Sequence, residues 1–333
     1  MSNADTADLE HKAIGMLAGV ALGDALGMPT EFLTPEYIEK WYGQINRLVV
    51  PHPQHIHHGL RLGEVTDDTD QTQIIARLLI ENGSIEAKQL AASLLAWSET
   101  PRVRQNRFVG PSTSRTLGAI KQELPWDEVP RAGTTVGAAM RVAPIAIAFS
   151  DAEILAGQVV ASCEATHNTH KAISGAMAMA FALREALSPV ADPISVARAA
   201  QKGAAHGRKF GNWCWTPPIE RRIEHVLSWA AGLPKEEVLT RIQELIGVDL
   251  YPEQLVPACI GLVVLARGAP MVAMTMAANL GGDADTLASM AGSICGALHG
   301  VDAFEKGMLA EVEAVNGLDL GSLARSLLAL RIR

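Results

Sequence analysis

The chain has 333 residues, enough for one large domain or two ordinary ones with a sizeable core. Its 28 Lys and Arg against 36 Asp and Glu give a formal net charge of -8, which argues against the basic footprint of a nucleic-acid binder. Hydrophobic residues make up 48% of the sequence, yet no run approaches the ~18 uninterrupted apolar residues of a membrane-spanning helix, so a soluble protein with no membrane partner is expected.

Met1 to His11 carries Asp5, Asp8 and Glu10 instead of a basic patch before an apolar run, so no secretory signal is expected. The widely spaced Cys163, Cys214, Cys259 and Cys295 include no Cys-x-x-Cys pair and read as reduced thiols of a cytoplasmic protein. A first helix is predicted over 8–26. Asp24 sits in its apolar run and reads as an internal hydrogen-bonding group that fixes local structure. Glu31 follows a Pro-containing turn, placed to reach a cleft as a metal-site acid or base. Pro51, Pro53 and Gly59 make 41–65 a long loop, with a short extended piece at Arg47 to Val50. Its His52, His55, His57 and His58 lack a Cys or carboxylate partner at metal spacing and read as the border of a cleft.

Gly63-Glu64-Val65-Thr66-Asp67-Asp68-Thr69-Asp70 follows, and runs into the helical spacing of Ile74, Ile75, Leu78 and Leu79. Its acidic residues therefore sit at a helix start, where either a solvated cap or a binding site accounts for them. Further helices are predicted over 85–98, 136–149, 151–163, 171–187, 193–206, 219–231, 254–266, 284–298 and 319–331, punctuated by Gly110-Pro111 and Pro217-Pro218. Small residues such as those at 175–180 let helix axes approach closely. No linker-like segment and no repeat of 20 to 50 residues appears, so one all-α domain over 1–333, a compact bundle of many helices, is expected. Trp213 and Trp215, flanking Cys214, are placed either to stack on a nucleobase or to bury area against a loop or subunit.

Near the C-terminal end, Asn279-Leu280-Gly281-Gly282-Asp283-Ala284-Asp285-Thr286 repeats the acidic helix-start pattern of the first motif. The glycines permit a tight turn that aims the i and i+2 aspartates at one point. Four ionised carboxylates buried together would repel one another and lose their hydration, a penalty that cations remove. If the motifs converge, Thr66, Asp67, Asp68, Asp283, Asp285 and Thr286 form an all-oxygen set suited to Mg²⁺, Mn²⁺ or Ca²⁺ rather than zinc or copper. Four carboxylates balance two divalent ions, and ions ~3.5 to 4 Å apart can activate a bridging water.

On Gly23-Asp24-Ala25-Leu26-Gly27, Thr66-Asp67-Asp68-Thr69 and Gly281-Gly282-Asp283-Ala284-Asp285-Thr286, the chain resembles the ADP-ribosylglycohydrolase family from Gly15 to about Gly300. The resemblance implies an all-helical orthogonal bundle, two Mg²⁺ or Mn²⁺ ions on those aspartates and threonines, and a catalytic or metal-coordinating role for Glu31. Gly110, Ser112 and Thr113 fall in a segment similar to a substrate-binding region of the family, where a helix start can present N–H groups to phosphate. Thr135, Gly137, Ala138, Met140 and Arg141 lie in a stretch similar to the family's Asn-Gly-Ala-x-Met-Arg, with Val136 where Asn is common, and His167 matches a histidine near the ribose. The expected reaction is hydrolysis of an N-glycosidic ADP-ribosyl bond, releasing ADP-ribose from an acceptor such as a modified protein. Glu31, Asp68 and Asp285 would handle protons and stabilise an oxocarbenium-like state. The rival readings are a hydrolase of a smaller ribosyl compound such as a nucleoside, a dimetal phosphoesterase, and a binding relative without turnover.

Overall fold

The computed structural model describes residues 3–106, 108–124 and 128–332. Among them lie α1 (Asn3–Gly27), α2 (Pro35–Tyr42), α3 (Asp67–Asn82), α4 (Ala87–Ser98), α5 (Pro101–Asn106), α6 (Pro111–Lys121), α7 (Ala143–Ala148), α8 (Ala152–Glu164) and α9 (His170–Ala186). They continue through α10 (Pro193–Gly207), α11 (Ile219–Gly232), α12 (Lys235–Arg241), α13 (Pro252–Leu265), α14 (Pro270–Leu280), α15 (Ala284–His299), α16 (Lys306–Asn316) and α17 (Leu320–Leu328). The described residues contain no β-strand; a lone bridge pairs Thr169 with Asn212. The architecture is therefore all-α.

The centre of the bundle is the antiparallel pair α1 and α15. Gly15, Gly19, Gly23 and Gly27 recur every four residues and share one stripe of α1. That stripe meets Gly296, Gly292, Ala288 and Ala284 of α15, and a Cβ at any of the four α1 glycines would lie closer than 3.0 Å to α15 backbone. Only glycine permits this approach, because its missing Cβ leaves room for the neighbouring carbonyl. From Ala13 to Leu26 the rest of α1 is apolar except for Asp24 and is almost wholly buried, as the innermost stretch of a large core must be. Within Asp5–Thr30 lies an 18-residue window with the length and composition of a membrane span, but 94% of that window is buried inside the fold. One main apolar cluster extends from Ala13 in α1 to Leu327 in α17.

Three local expectations change. Residues 136–149 are not one helix: a 3-10 turn at Val136–Ala138 gives way to α7 only at Ala143. Pro144 occupies the first turn of α7, where its missing N–H costs nothing but where it cannot continue a preceding helix. Arg47 to Val50 forms no strand, since no partner lies alongside it. The last predicted helix stops at Leu328 and tightens into a 3-10 turn, Ala329–Ile332. Helices α2, α5, α12, α14 and α16 escape the sequence reading; α2, α5 and α12 span only 8, 6 and 7 residues, too few for a periodic pattern to stand out.

Candidate active site

The two acidic motifs, more than two hundred residues apart, meet at the starts of α3 and α15. Thr66 Oγ1 lies 3.3 Å from Asp285 Oδ2, and the Thr286 hydroxyl donates to Asp68 Oδ2 at 3.1 Å. Neither helix start is capped by its own N-cap side chain, so the aspartates are not a solvated cap. Asp24, in the last turn of α1, accepts from the backbone N–H groups of Thr66 and Thr69, 2.9 and 3.0 Å away. It also accepts from both hydroxyls, at 2.7 and 2.6 Å. It therefore pins the first motif to α1, the structural part expected of it.

The second motif turns on Gly281 and Gly282, whose φ values of 73° and 66° lie in the left-handed region that glycine adopts at no steric cost. A Cβ at Gly281 would strike the Leu33 carbonyl, and one at Gly282 the Val248 carbonyl. Asp283 N–H donates to Val248 O at 2.7 Å, and Phe32 N–H to Gly282 O at 2.6 Å. The second bond draws the Glu31 turn against the motif. Phe32 itself holds a positive φ of 57°, a strained conformation for a residue with a side chain. Glu31 is clasped from the far side: His57 Nε2 lies 2.5 Å from its Oε2, and His55 Nε2 2.9 Å from its carbonyl.

Two groups of carboxylates result, Glu31 with Asp283 and Asp285, and Asp67 with Asp68 and Asp285. Within each, one ligand atom per residue lies within 4.8 Å of the others, and Asp285 belongs to both. Buried oxygens Asp68 Oδ1, Asp283 Oδ2 and Asp285 Oδ1 have no hydrogen-bond partner. Unpaired buried acceptors of this kind are rare and costly, and a hard cation satisfies them. The residues fit a divalent metal.

Burial raises every one of these acids, with the charge of Asp285 adding to the effect at Glu31, Asp67 and Asp68. Asp24 and Asp283 are pushed up to about 7 and Asp285 to about 8, first by desolvation and then by the neighbouring carboxylates. Without cations the folded chain thus holds protons that the unfolded chain releases above about pH 4. The stability linked to those protons is complete below the unfolded pKa and is lost as pH rises through 7 to 8. In chelator, the melting temperature is expected to drop by several degrees between about pH 6 and about pH 8.5. With Mn²⁺ or Mg²⁺ present the trend reverses, because cations bind the deprotonated carboxylates. Thermal melts across that range with and without chelator check this.

The acids floor a cleft of about 170 Å³. Of the residues singled out in the sequence, Glu31, Asp67, Asp283, Asp285, Thr286, Gly110, Thr113, Thr135, Gly137, Met140 and His167 line it. Thr66, Asp68, Ser112, Ala138 and Arg141 do not. Asp68 and Ala138 are fully buried behind the residues that line it. Ser112 turns its hydroxyl inward, accepting from the Thr135 hydroxyl at 2.9 Å. Arg141 is fully buried behind the wall and donates to Gln71, Ser162 and Thr166. Expected among the substrate contacts, Arg141 instead has no exposed surface and does not line the cleft. His167 stays neutral, its pKa held well below the usual value by burial and by Arg141.

Sequence reasoning missed Phe32, Phe108, Val109, Gln71 and Leu250 as cleft residues. Gln71 had a signal, its position one helical turn after Asp67. Phe32 adjoins Glu31, whereas nothing local marks Leu250. Ile56 and His57 bring the histidine loop to the cleft border. Trp213 and Trp215 are 75% and 86% exposed and lie outside the cleft, Trp213 stacked on His170.

The ADP-ribosylglycohydrolase family model matches residues 5–333. The uncharacterized protein YegU of Escherichia coli (strain K12) is 31% identical over 333 residues, 96% of this chain and 97% of the relative. ADP-ribosyl-[dinitrogen reductase] glycohydrolase of Rhodospirillum rubrum is 23% identical over 325 residues, 97% of each chain. A solved structure, an ADP-ribosylglycohydrolase-related protein complex, shares the fold with a TM-score of 0.71 at 23% identity, covering 97% of this chain and 99% of that one. By class the protein is an enzyme, a glycosidase. The chain belongs to the ADP-ribosylglycohydrolase family.

Proposed function

We propose that this chain is a cytoplasmic single-domain hydrolase that uses two divalent cations, Mg²⁺ or Mn²⁺, to cleave the N-glycosidic bond of an ADP-ribosyl group and release ADP-ribose from a modified protein. The observation that carries the reading is the pair of acidic groups sharing Asp285 on the cleft floor, with three buried carboxylate oxygens unpaired. Asp67, Asp68 and Asp285, with the Thr66 hydroxyl beside them, are the set for one ion. Glu31, Asp283 and Asp285, with Thr286, are the set for the other. When bound, such ions supply an activated water and order the ribose hydroxyls.

The chain's own groups do the rest. Glu31, held by His57, and Asp285 present negative charge to the ribose ring as the C–N bond breaks, which favours the oxocarbenium-like state. Asp68, without exposed surface, acts as a cation ligand rather than as the third catalytic group. Thr135, Gly137, Met140 and neutral His167 bound the ribose side. Gly110 and Thr113 bring the start of α6 to the cleft, where backbone N–H groups suit phosphate.

One observation favours a second reading. The cleft's 170 Å³ is below the usual range for a drug-sized ligand, and no Lys or Arg lines it among the described residues. A nucleoside or other small N-ribosyl compound suits that wall, and Val136 in place of a polar residue suits it too. An ADP-ribosylated protein, ADP-ribose esters and nucleosides, each assayed with Mn²⁺ or Mg²⁺ and in chelator, decide between the two. Cation-dependent release of ADP-ribose is the expected result. Turnover confined to nucleosides supports the second reading; tight binding with no product supports a relative without catalysis, and full turnover in chelator overturns the cation chemistry.

A further inference from the structure

Arg141 is a fully buried guanidinium whose hydrogen bonds all go to uncharged groups. Burying a cation without a paired carboxylate is costly, so its placement calls for a physical reason. Its two terminal nitrogens point in different directions. Nη1 donates to Gln71 Oε1 at 2.8 Å, and Nη2 to Thr166 Oγ1 at 2.9 Å and to the Ser162 carbonyl at 3.0 Å.

Because a guanidinium only donates, each bond sets the direction of the next. Gln71 must turn its amide oxygen toward Arg141, which leaves its NH₂ facing Asp67 Oδ2, 3.1 Å away. Thr166 accepts from Arg141 and lies 2.6 Å from His167 Nδ1, so the Thr166 proton goes to that nitrogen. The neutral ring then carries its proton on Nε2, which donates to Thr135 Oγ1 at 2.9 Å, and Thr135 passes its own proton to Ser112 Oγ. One arm ends at a cleft-floor carboxylate and the other on the facing wall, since Asp67, Gln71, Thr135 and His167 all line the cleft.

We propose that Arg141 is a positioning residue that orients the Asp67 carboxylate through Gln71 and fixes the Nε2–H tautomer of His167 through Thr166. The Asp67 arm rests on the reading that this carboxylate holds a cation; the His167 arm does not. Each arm is cut separately by a substitution close in size to the original: Gln71→Met for the first and Thr166→Val for the second. The full chain is titrated with Mn²⁺ and read by electron paramagnetic resonance and calorimetry. The His167 ring nitrogens are read by ¹⁵N NMR of histidine-labelled protein with Mg²⁺ in place of Mn²⁺.

Gln71→Met is expected to weaken Mn²⁺ binding at one site by about 10- to 100-fold, as losses of supporting hydrogen bonds to metal ligands do, with the His167 tautomer unchanged. Thr166→Val is expected to leave Mn²⁺ affinity within about 2-fold of the parent while the His167 nitrogens shift to a mixture of tautomers. A purely structural role would lower stability and move neither signature. Parent-like Mn²⁺ affinity in Gln71→Met, or a single Nε2–H tautomer in Thr166→Val, overturns the proposal, and if one variant does not fold the other still decides. A parent chain that binds no Mn²⁺ instead defeats the cation reading of the floor, a distinct outcome.

Discussion

Asp285→Ala is expected to abolish cation binding and to lower kcat/KM by about 10³-fold or more, a loss of roughly 4 kcal/mol of transition-state stabilisation. Asp285 is the one carboxylate common to both acidic groups, so its removal leaves each group one ligand short. It also lines the cleft, unlike Asp68. Calorimetric Mn²⁺ titration and single-turnover assays measure the two losses; saturable binding of two ions by this variant would contradict the arrangement. The conservative Asp285→Asn carries an opposite expectation for stability. In chelator near pH 8 it should melt above the parent chain, since it removes one of the buried charges whose repulsion and desolvation raise the neighbouring acids. A site tuned to bind cations is unfavourable without them, and relieving it trades activity for stability.

The second large effect is expected at the α1–α15 contact. Gly19→Ala adds one methyl group, yet its Cβ would lie closer than 3.0 Å to backbone atoms of Gly292 and Ser293. Those atoms belong to a helix and cannot swing aside as a side-chain tip does, so the axes must part. Overpacking a close-packed core costs about 1 to 3 kcal/mol, and at this rigid contact the upper end or beyond is expected despite alanine's better helix propensity. Gly43→Ala is not an adequate control, because its φ of 72° adds strain; Gly157→Ala, in α8 with open space around it, is. Urea denaturation should show Gly19→Ala strongly destabilised and Gly157→Ala equal to or more stable than the parent. Since the α1–α15 pair also carries Asp24 and Asp285, Gly23→Ala should weaken Mn²⁺ binding as well as the fold. Retained stability in Gly19→Ala would show that the helices tolerate a wider spacing.

Much of the site was legible because its chemistry is local. Thr66, Asp67 and Asp68, and likewise Asp283, Asp285 and Thr286, occupy short runs beside glycine or a helix start, and crowded carboxylates call for cations wherever they are buried. Asp24 was legible for the same reason, as a lone charge in an apolar helix. Arg141 was read as a substrate contact because its neighbours resemble a binding segment, whereas the burial of its side chain behind the wall comes from packing between distant segments. His57 was placed at the border of a cleft, but its contact with Glu31 had no marker in a loop of four histidines.

The amino-acid sequence alone determined that the chain is helical, that it carries two acidic motifs at helix starts, and that burying them together carries a charge penalty that a cation relieves; these follow from residue type and spacing within a few turns. Only the tertiary structure decided that the motifs meet, that Asp285 serves both groups, and that Arg141 stands behind the wall rather than in it. The reason is distance along the chain. The contact between Thr66 and Asp285 spans 219 positions, and it is set by the glycine stripe that draws α15 against α1, a packing event that no local period records.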